Sequence, residues 1–193
     1  MQLTEIDGYG NAMYSAEDVV NYIIYWNYHK DHELTNWKLQ NLLYLLQGAF
    51  CARHGKRLIA EDFHVWKLGA YIPEIYYNYC AYGSIPIIKT KGELKNKIKV
   101  DDQFLIDFIL EKYIDYRPGE LADIVFATDP CKYVYKAFGT RSLIPYECIK
   151  KYFLLDKNIK EEKTDLPKNV QDLIDMFFAL RHLYNSSKGE ELF

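Results

Sequence analysis

Leu34-Thr35-Asn36-Trp37-Lys38-Leu39-Gln40-Asn41-Leu42-Leu43-Tyr44-Leu45-Leu46-Gln47-Gly48-Ala49-Phe50 is the stretch on which the fold turns. Leu39, Leu42, Leu43, Leu46 and Phe50 recur at i, i+3, i+4, i+7 and i+11, one apolar stripe along a helix. Thr35 offers a start signal, and His54-Gly55 a stop with Gly55 as the left-handed cap. The spacing therefore predicts a helix over 35–54. Upstream, Ser15 with Glu17 and Asp18 places a capping hydroxyl and two acids in the first turn of another helix. Val19, Val20, Ile23 and Ile24 carry its period to about Tyr28.

Downstream, Phe63 to Leu68 alternates weakly and reads as extended, punctuated by Gly69 and Pro73. Pro73 suits the first position of a helix running to about Tyr82, with Gly83 at its end. Between Ile85 and Val100 the period is two: Leu94, Asn96, Ile98 and Val100 alternate with Lys95, Lys97 and Lys99. This predicts a β-hairpin with a solvated lysine face, or alternatively a lysine run that meets an acidic partner. From Asp101 the helical period returns. Phe104, Leu105, Phe108 and Ile109 mark one helix, and Arg117-Pro118-Gly119 breaks it. Leu121 to Phe126, Asp129 to Phe138 and Pro145 to Leu154 mark three more. After a charged linker, Val170, Leu173, Ile174, Phe177 and Leu180 stripe a final helix over 166–184. The expected fold is mainly α, a compact multi-helix domain with one small β-hairpin or short sheet. Residues 1–13 form a lead and 14–155 the domain. Residues 156–186 are a linker and C-terminal helix packed on the domain, and 187–193 a tail. That tail, Ser187 to Phe193, resembles the opening of green fluorescent proteins, as a fusion scar would, and is set aside.

Composition narrows the function. The chain has 193 residues, 49% hydrophobic and 26% charged, which excludes fibrous and wholly disordered classes. A net charge of −3 makes a poor general nucleic-acid coat. The Lys89–Lys99 cluster is too small to change that, and no appended helix-turn-helix is visible. The longest apolar runs are five residues against the roughly 20 of a membrane span, so no membrane is expected. Without a leader, the expected compartment is the cytoplasm, with four reduced cysteines.

The reactive residues make no known constellation. His29, His32, Cys51 and His54 match no metal-ligand spacing, and there is no CxxC or HExxH. Neither a G-x-S-x-G elbow nor a glycine-rich phosphate loop occurs. Cys51 and Cys80 lie in aromatic or aliphatic helical stretches, where buried thiols are inert. No catalytic residue, metal or cofactor is expected. Tyrosine is abundant at 18 residues. Neighbouring aromatics at Tyr25, Trp26 and Tyr28, and at Tyr76, Tyr77 and Tyr79, exceed what one buried stripe can use. Trp26, Tyr77 and Tyr79 are the candidate exposed anchors for a protein partner.

Three segments in order carry a resemblance: Ser15 to Ile24; Leu34 to Tyr44 with Gln47-Gly48; and Trp66-Lys67-Leu68-Gly69 with Ile72-Pro73-Glu74-Ile75-Tyr76 and Tyr82-Gly83. From about Met13 to Phe153 the chain resembles the Panacea domain, the SocA-like or phage-associated GepA-like antitoxin family. It departs at Asn41, where the family usually has Lys, at Gly69-Ala70-Tyr71, where it usually reads Gly-Pro-Val, and at Cys131, where it often has Trp. It is thus a divergent member. The matching positions Trp37, Lys38, Leu39, Gln40, Leu42, Leu43, Tyr44, Gln47, Gly48, Trp66, Gly69, Pro73, Tyr76 and Gly83 read mainly as scaffold. The resemblance implies an antitoxin that neutralises a cognate protein toxin, encoded by the adjacent gene, by direct binding. It also admits an adaptor that delivers the toxin to a cellular protease, or a phage-encoded host modulator with the same fold. A cysteine- or metal-dependent hydrolase is the remaining alternative. The acidic balance suits a basic toxin, and the oligomeric state is left open.

Overall fold

A computed structural model describes residues 12–28, 30, 32–89 and 97–155. Most of the lead 1–13, the linker and helix expected over 156–186, and the tail 187–193 lie outside the described residues.

The decisive stretch forms α2, Asn36–His54, with the expected caps. The Thr35 side chain accepts from the Lys38 N–H, and Gly55 closes the helix at φ 65 with its N–H on the Cys51 carbonyl. The helix is buried on every side from Lys38 to Ala52, more than its single leucine stripe requires. The reason is its central position. α1 (Ala16–Tyr28), α3 (Pro73–Tyr79), α4 (Val100–Tyr113), α5 (Pro118–Ala127) and α7 (Tyr146–Leu155) all pack against it. α6 (Asp129–Phe138) joins α5 to the strand that precedes α7.

Polar side chains lock the outer helices. Tyr22 donates to Asp107 Oδ1 at 2.6 Å across the α1–α4 seam, which Lys30–Glu111 and Lys97–Asp18 also bridge. Tyr14 donates to the buried Asp102 at 2.5 Å while its phenol oxygen accepts from the Lys99 N–H. Burial and that carboxylate push the Tyr14 phenol up to about 12.

The sheet is not where the alternation placed it. β1 (His64–Trp66), β2 (Gly69–Tyr71) and β3 (Ser142–Leu143) form an antiparallel sheet in the order β2-β1-β3. The hairpin expected between Ile85 and Val100 is corrected. Residues 85–89 are not strand, 90–96 lie outside the described residues, and Val100 is the first residue of α4. Two isolated isoleucines explain the false signal. Ile87 and Ile98 dip into the core from irregular backbone, and the Ile87 N–H bonds the Leu34 carbonyl. Asp101 and Asp102 in the first turn then favour a helix start. The mainly helical fold with a small sheet is as the sequence implies.

Candidate functional site

The polar residues of α2 are spent on the neighbouring loops. Gln40 Oε1 accepts from the Ile72 N–H at 3.0 Å while its Nε2 donates to Asn36 Oδ1. Asn36 in turn donates to the Tyr76 carbonyl. Two turns on, Gln47 Oε1 accepts from the Ile59 N–H at 2.9 Å. Trp37 Nε1 and Asn41 Nδ2 both donate to the Leu68 carbonyl. Lys38 Nζ donates to Ile114 O at 2.8 Å, placing a cation on the C-terminal end of α4, and burial pulls its pKa down. Tyr44, fully buried, meets Thr128 Oγ1 at 3.1 Å. The Ile59 and Ile72 N–H groups and the Ile114 carbonyl would otherwise be buried unbonded.

Glycines let these parts close. Gly48 has no room for a Cβ, because one built there would lie 2.5 Å from Cε1 and Cε2 of Phe153. Gly69 adopts φ 122, and its Cβ would stand 2.8 Å from Asn41 Cγ. Pro73 occupies the first turn of α3, and Gly83 follows a single 3₁₀ turn, Cys80–Tyr82.

A second constellation faces outward. The register pairs His64 with Tyr71 and Leu143, and Trp66 with Gly69. Side chains alternate across a sheet, so His64, Trp66, Tyr71 and Leu143 share the face opposite Val65 and Ala70, with Tyr71 itself buried. Trp66 stacks on Tyr71 with centroids 4.8 Å apart, Tyr76 meets Trp66 edge-on at 4.8 Å, and Tyr77 meets Tyr76 at 5.5 Å. On the other side the Arg141 guanidinium lies 5.7 Å from the Trp66 ring centre. Beyond it, the Ser142 hydroxyl donates to the Phe138 carbonyl at the end of α6. An aromatic strip thus runs from Tyr77, 61% exposed, through Tyr76 and Trp66 to Arg141, with Leu143 on the same sheet face and Phe138, 77% exposed, at the end of α6.

The family model described as antitoxin SocA-like, Panacea domain, matches residues 39–130, just under half of the chain. Over residues 39–130 the chain is similar to the Panacea domain family. No curated protein and no solved structure matches the chain. The Panacea match begins inside α2 and ends at the start of α6, so it covers α2 from Leu39 onward, the β1–β2 turn and the α3 end of the aromatic strip, but not Asn36, Trp37, Lys38 or Arg141.

Of the three expected anchors, the fold exposes Tyr77 and leaves Trp26 half-buried. Trp26 stacks on His32 at 6.2 Å, with Lys30 Nζ 4.1 Å from its ring centre. The exposure expected of Tyr79 is corrected. It is 1% exposed, and its hydroxyl donates to Glu17 Oε1 at 2.9 Å, so α1 captures it. Cys80 is likewise corrected, being exposed, whereas Cys51 is buried. Burial pushes the Cys51 thiol up and Cys131 to about 11, the opposite direction from an activated thiolate. Among the described residues no three His, Cys, Asp or Glu side chains converge as metal ligands. No described helix is long and apolar enough to cross a membrane. Arg141 and Phe138 escape sequence reasoning, since nothing in composition marks a two-residue strand or the residue that precedes it.

Proposed function

We propose that this chain is the antitoxin of a toxin–antitoxin pair and neutralises a cognate protein toxin by direct binding. The match to an antitoxin-like Panacea domain carries this reading. The family-typical side chains of α2 are engaged in holding loops, so binding falls to the periphery. The aromatic strip supplies the contact surface there. Trp, Tyr and Arg dominate interface energetics, and Tyr77, Trp66 and Arg141 are brought together with flanking Leu143 and Phe138. Trp26 forms a secondary anchor on α1. An interface of roughly 1,200–2,000 Å² around these rings masks the toxin without any bond made or broken.

Co-expression with the product of the adjacent gene tests the reading. Growth arrested by that product alone should resume when this chain is present, and the two should co-purify. A harmless neighbour, or one that stays toxic beside this chain, refutes the proposal. Toxin that disappears only in cells with an intact protease instead supports delivery for proteolysis over masking.

A further inference from the structure

Arg141 has φ 68, making it the sole described non-glycine residue at positive φ. Its N–H bonds the Val65 carbonyl while Val65 pairs in register with Ser142, so two residues oppose one in a β-bulge. In the common bulge of this kind the left-handed position is filled by glycine, because a Cβ is strained there. The backbone alone would be better served by glycine. The arginine side chain is therefore retained at a conformational cost, and strain of this sort collects at working sites.

What the side chain does within the molecule is little. It is exposed, and its one described contact is the Trp66 ring at 5.7 Å. No carboxylate among the described residues pairs with it; the described ion pairs lie elsewhere. Its carbonyl is tied down by His64 Nδ1 at 3.1 Å, which anchors the bulge beneath the guanidinium. Lys67, exposed in the β1–β2 turn, adds a second positive group near the strip, while Glu74 lies at its α3 end beside Tyr77. The net charge of −3 is thus reversed locally: the centre of the aromatic strip is cationic.

We propose that Arg141 is the charged anchor of the partner-binding face, and that the partner meets it with a protein segment bearing a carboxylate flanked by apolar side chains. The apolar groups of this face, the rings of Trp66, Tyr76 and Tyr77 toward α3 and the exposed Leu143 and Phe138 toward α6, receive the apolar flanks. A guanidinium beside an aromatic ring still presents its N–H fork to a carboxylate, which it binds bidentately. This rests on the antitoxin reading only for the partner's identity. It replaces the expectation that a basic toxin surface meets an acidic antitoxin with a local contact of the opposite polarity.

The test pans a phage-displayed library of random 12-residue peptides against the immobilised full-length chain, then measures the synthetic consensus peptide against variants. Recovered peptides should be enriched in Asp or Glu next to aromatic or aliphatic residues. Arg141→Gly should weaken the peptide by about 30-fold, the scale of an interface hot spot. It should leave the melting temperature equal or higher, since glycine relieves the bulge. A separate arm uses a fluorescent 20-nucleotide single-stranded RNA. No recovered binder, a basic or uncharged consensus, undiminished affinity in Arg141→Gly, or RNA binding that depends on Arg141 would each overturn the proposal. Co-expression separates the two readings: wild-type rescue with failed panning removes only the anchor, whereas absent rescue with an Arg141-dependent acidic consensus removes only the antitoxin role.

Discussion

Gly48→Ala sets two effects against each other with opposite signs. In an open helix interior the change would stabilise by about 0.5–1 kcal/mol, because glycine loses more backbone entropy on folding. At Gly48 the new methyl would stand 2.5 Å from two ring carbons of Phe153, where carbon atoms normally rest about 3.5–4.0 Å apart. The ring must retreat by about 1 Å or more. It is nearly buried and packs edge-on against Tyr44, 6.1 Å between centroids, so retreat disturbs the α2–α7 contact. Overpacking of a filled core costs about 1–3 kcal/mol. Given the depth of the overlap we expect the upper half of that range, a net loss of about 1–2 kcal/mol. For a chain of this length that lowers the melting temperature by about 2–8 °C. Thermal and urea unfolding measure it, and Phe153→Leu provides the second arm. Phe153→Leu destabilises the wild type by leaving a void, but should partly rescue Gly48→Ala by making room, a non-additive coupling. If Gly48→Ala melts at or above the wild type, the packing argument is wrong.

The other expectations can be stated together. Gln40→Leu keeps the volume but strips the Ile72 N–H of its acceptor, so stability should fall by about 1–3 kcal/mol in denaturant titration. Tyr77→Ala should change stability by no more than about 0.5 kcal/mol yet weaken toxin rescue, whereas Tyr79→Phe should cost about 0.5–1.5 kcal/mol by deleting the bond to Glu17. Alkali should unfold the chain: burial raises the phenols of Tyr14, Tyr22, Tyr44, Tyr71, Tyr113 and Tyr146. Groups with a raised folded pKa stabilise fully below their unfolded value and lose that contribution as pH climbs toward the folded one. Stability should therefore decline from about pH 10 onward, with Tyr14 and Tyr113 titrating near 12 in the folded chain, as read by tyrosinate absorbance and circular dichroism.

Local chemistry was legible wherever a single residue decides an outcome. Thr35 and Gly55 bound α2 because a hydroxyl acceptor and a left-handed residue are needed at those ends. Pro73 likewise falls in the first turn of α3, whereas Pro118, read from the sequence as a breaker, is the first residue of α5. What depends on a distant partner was not legible. Tyr77 and Tyr79 look alike in sequence, and only the approach of Glu17 from α1 buries one of them. Ile98 and Lys99 alternate as a strand would, yet the burial of Ile98 needs no strand. Arg141 sits in a turn without any propensity signal, and its role emerges only when β3 closes on β1. The polar residues of α2 signalled a resemblance but not its cause, since their acceptors and donors come from residues 59, 68, 72, 76 and 114.

The side-chain amides of Gln40 and Gln47 grip the main chain at Ile72 and Ile59, two places outside the helices and named strands. Their amide protons should consequently resist deuterium as stubbornly as those at the centre of α2, since neither segment can peel away while that helix stays seated. Loops flanking the aromatic face are thereby enrolled in the global unfolding unit, and a partner docking there meets a surface already frozen before contact.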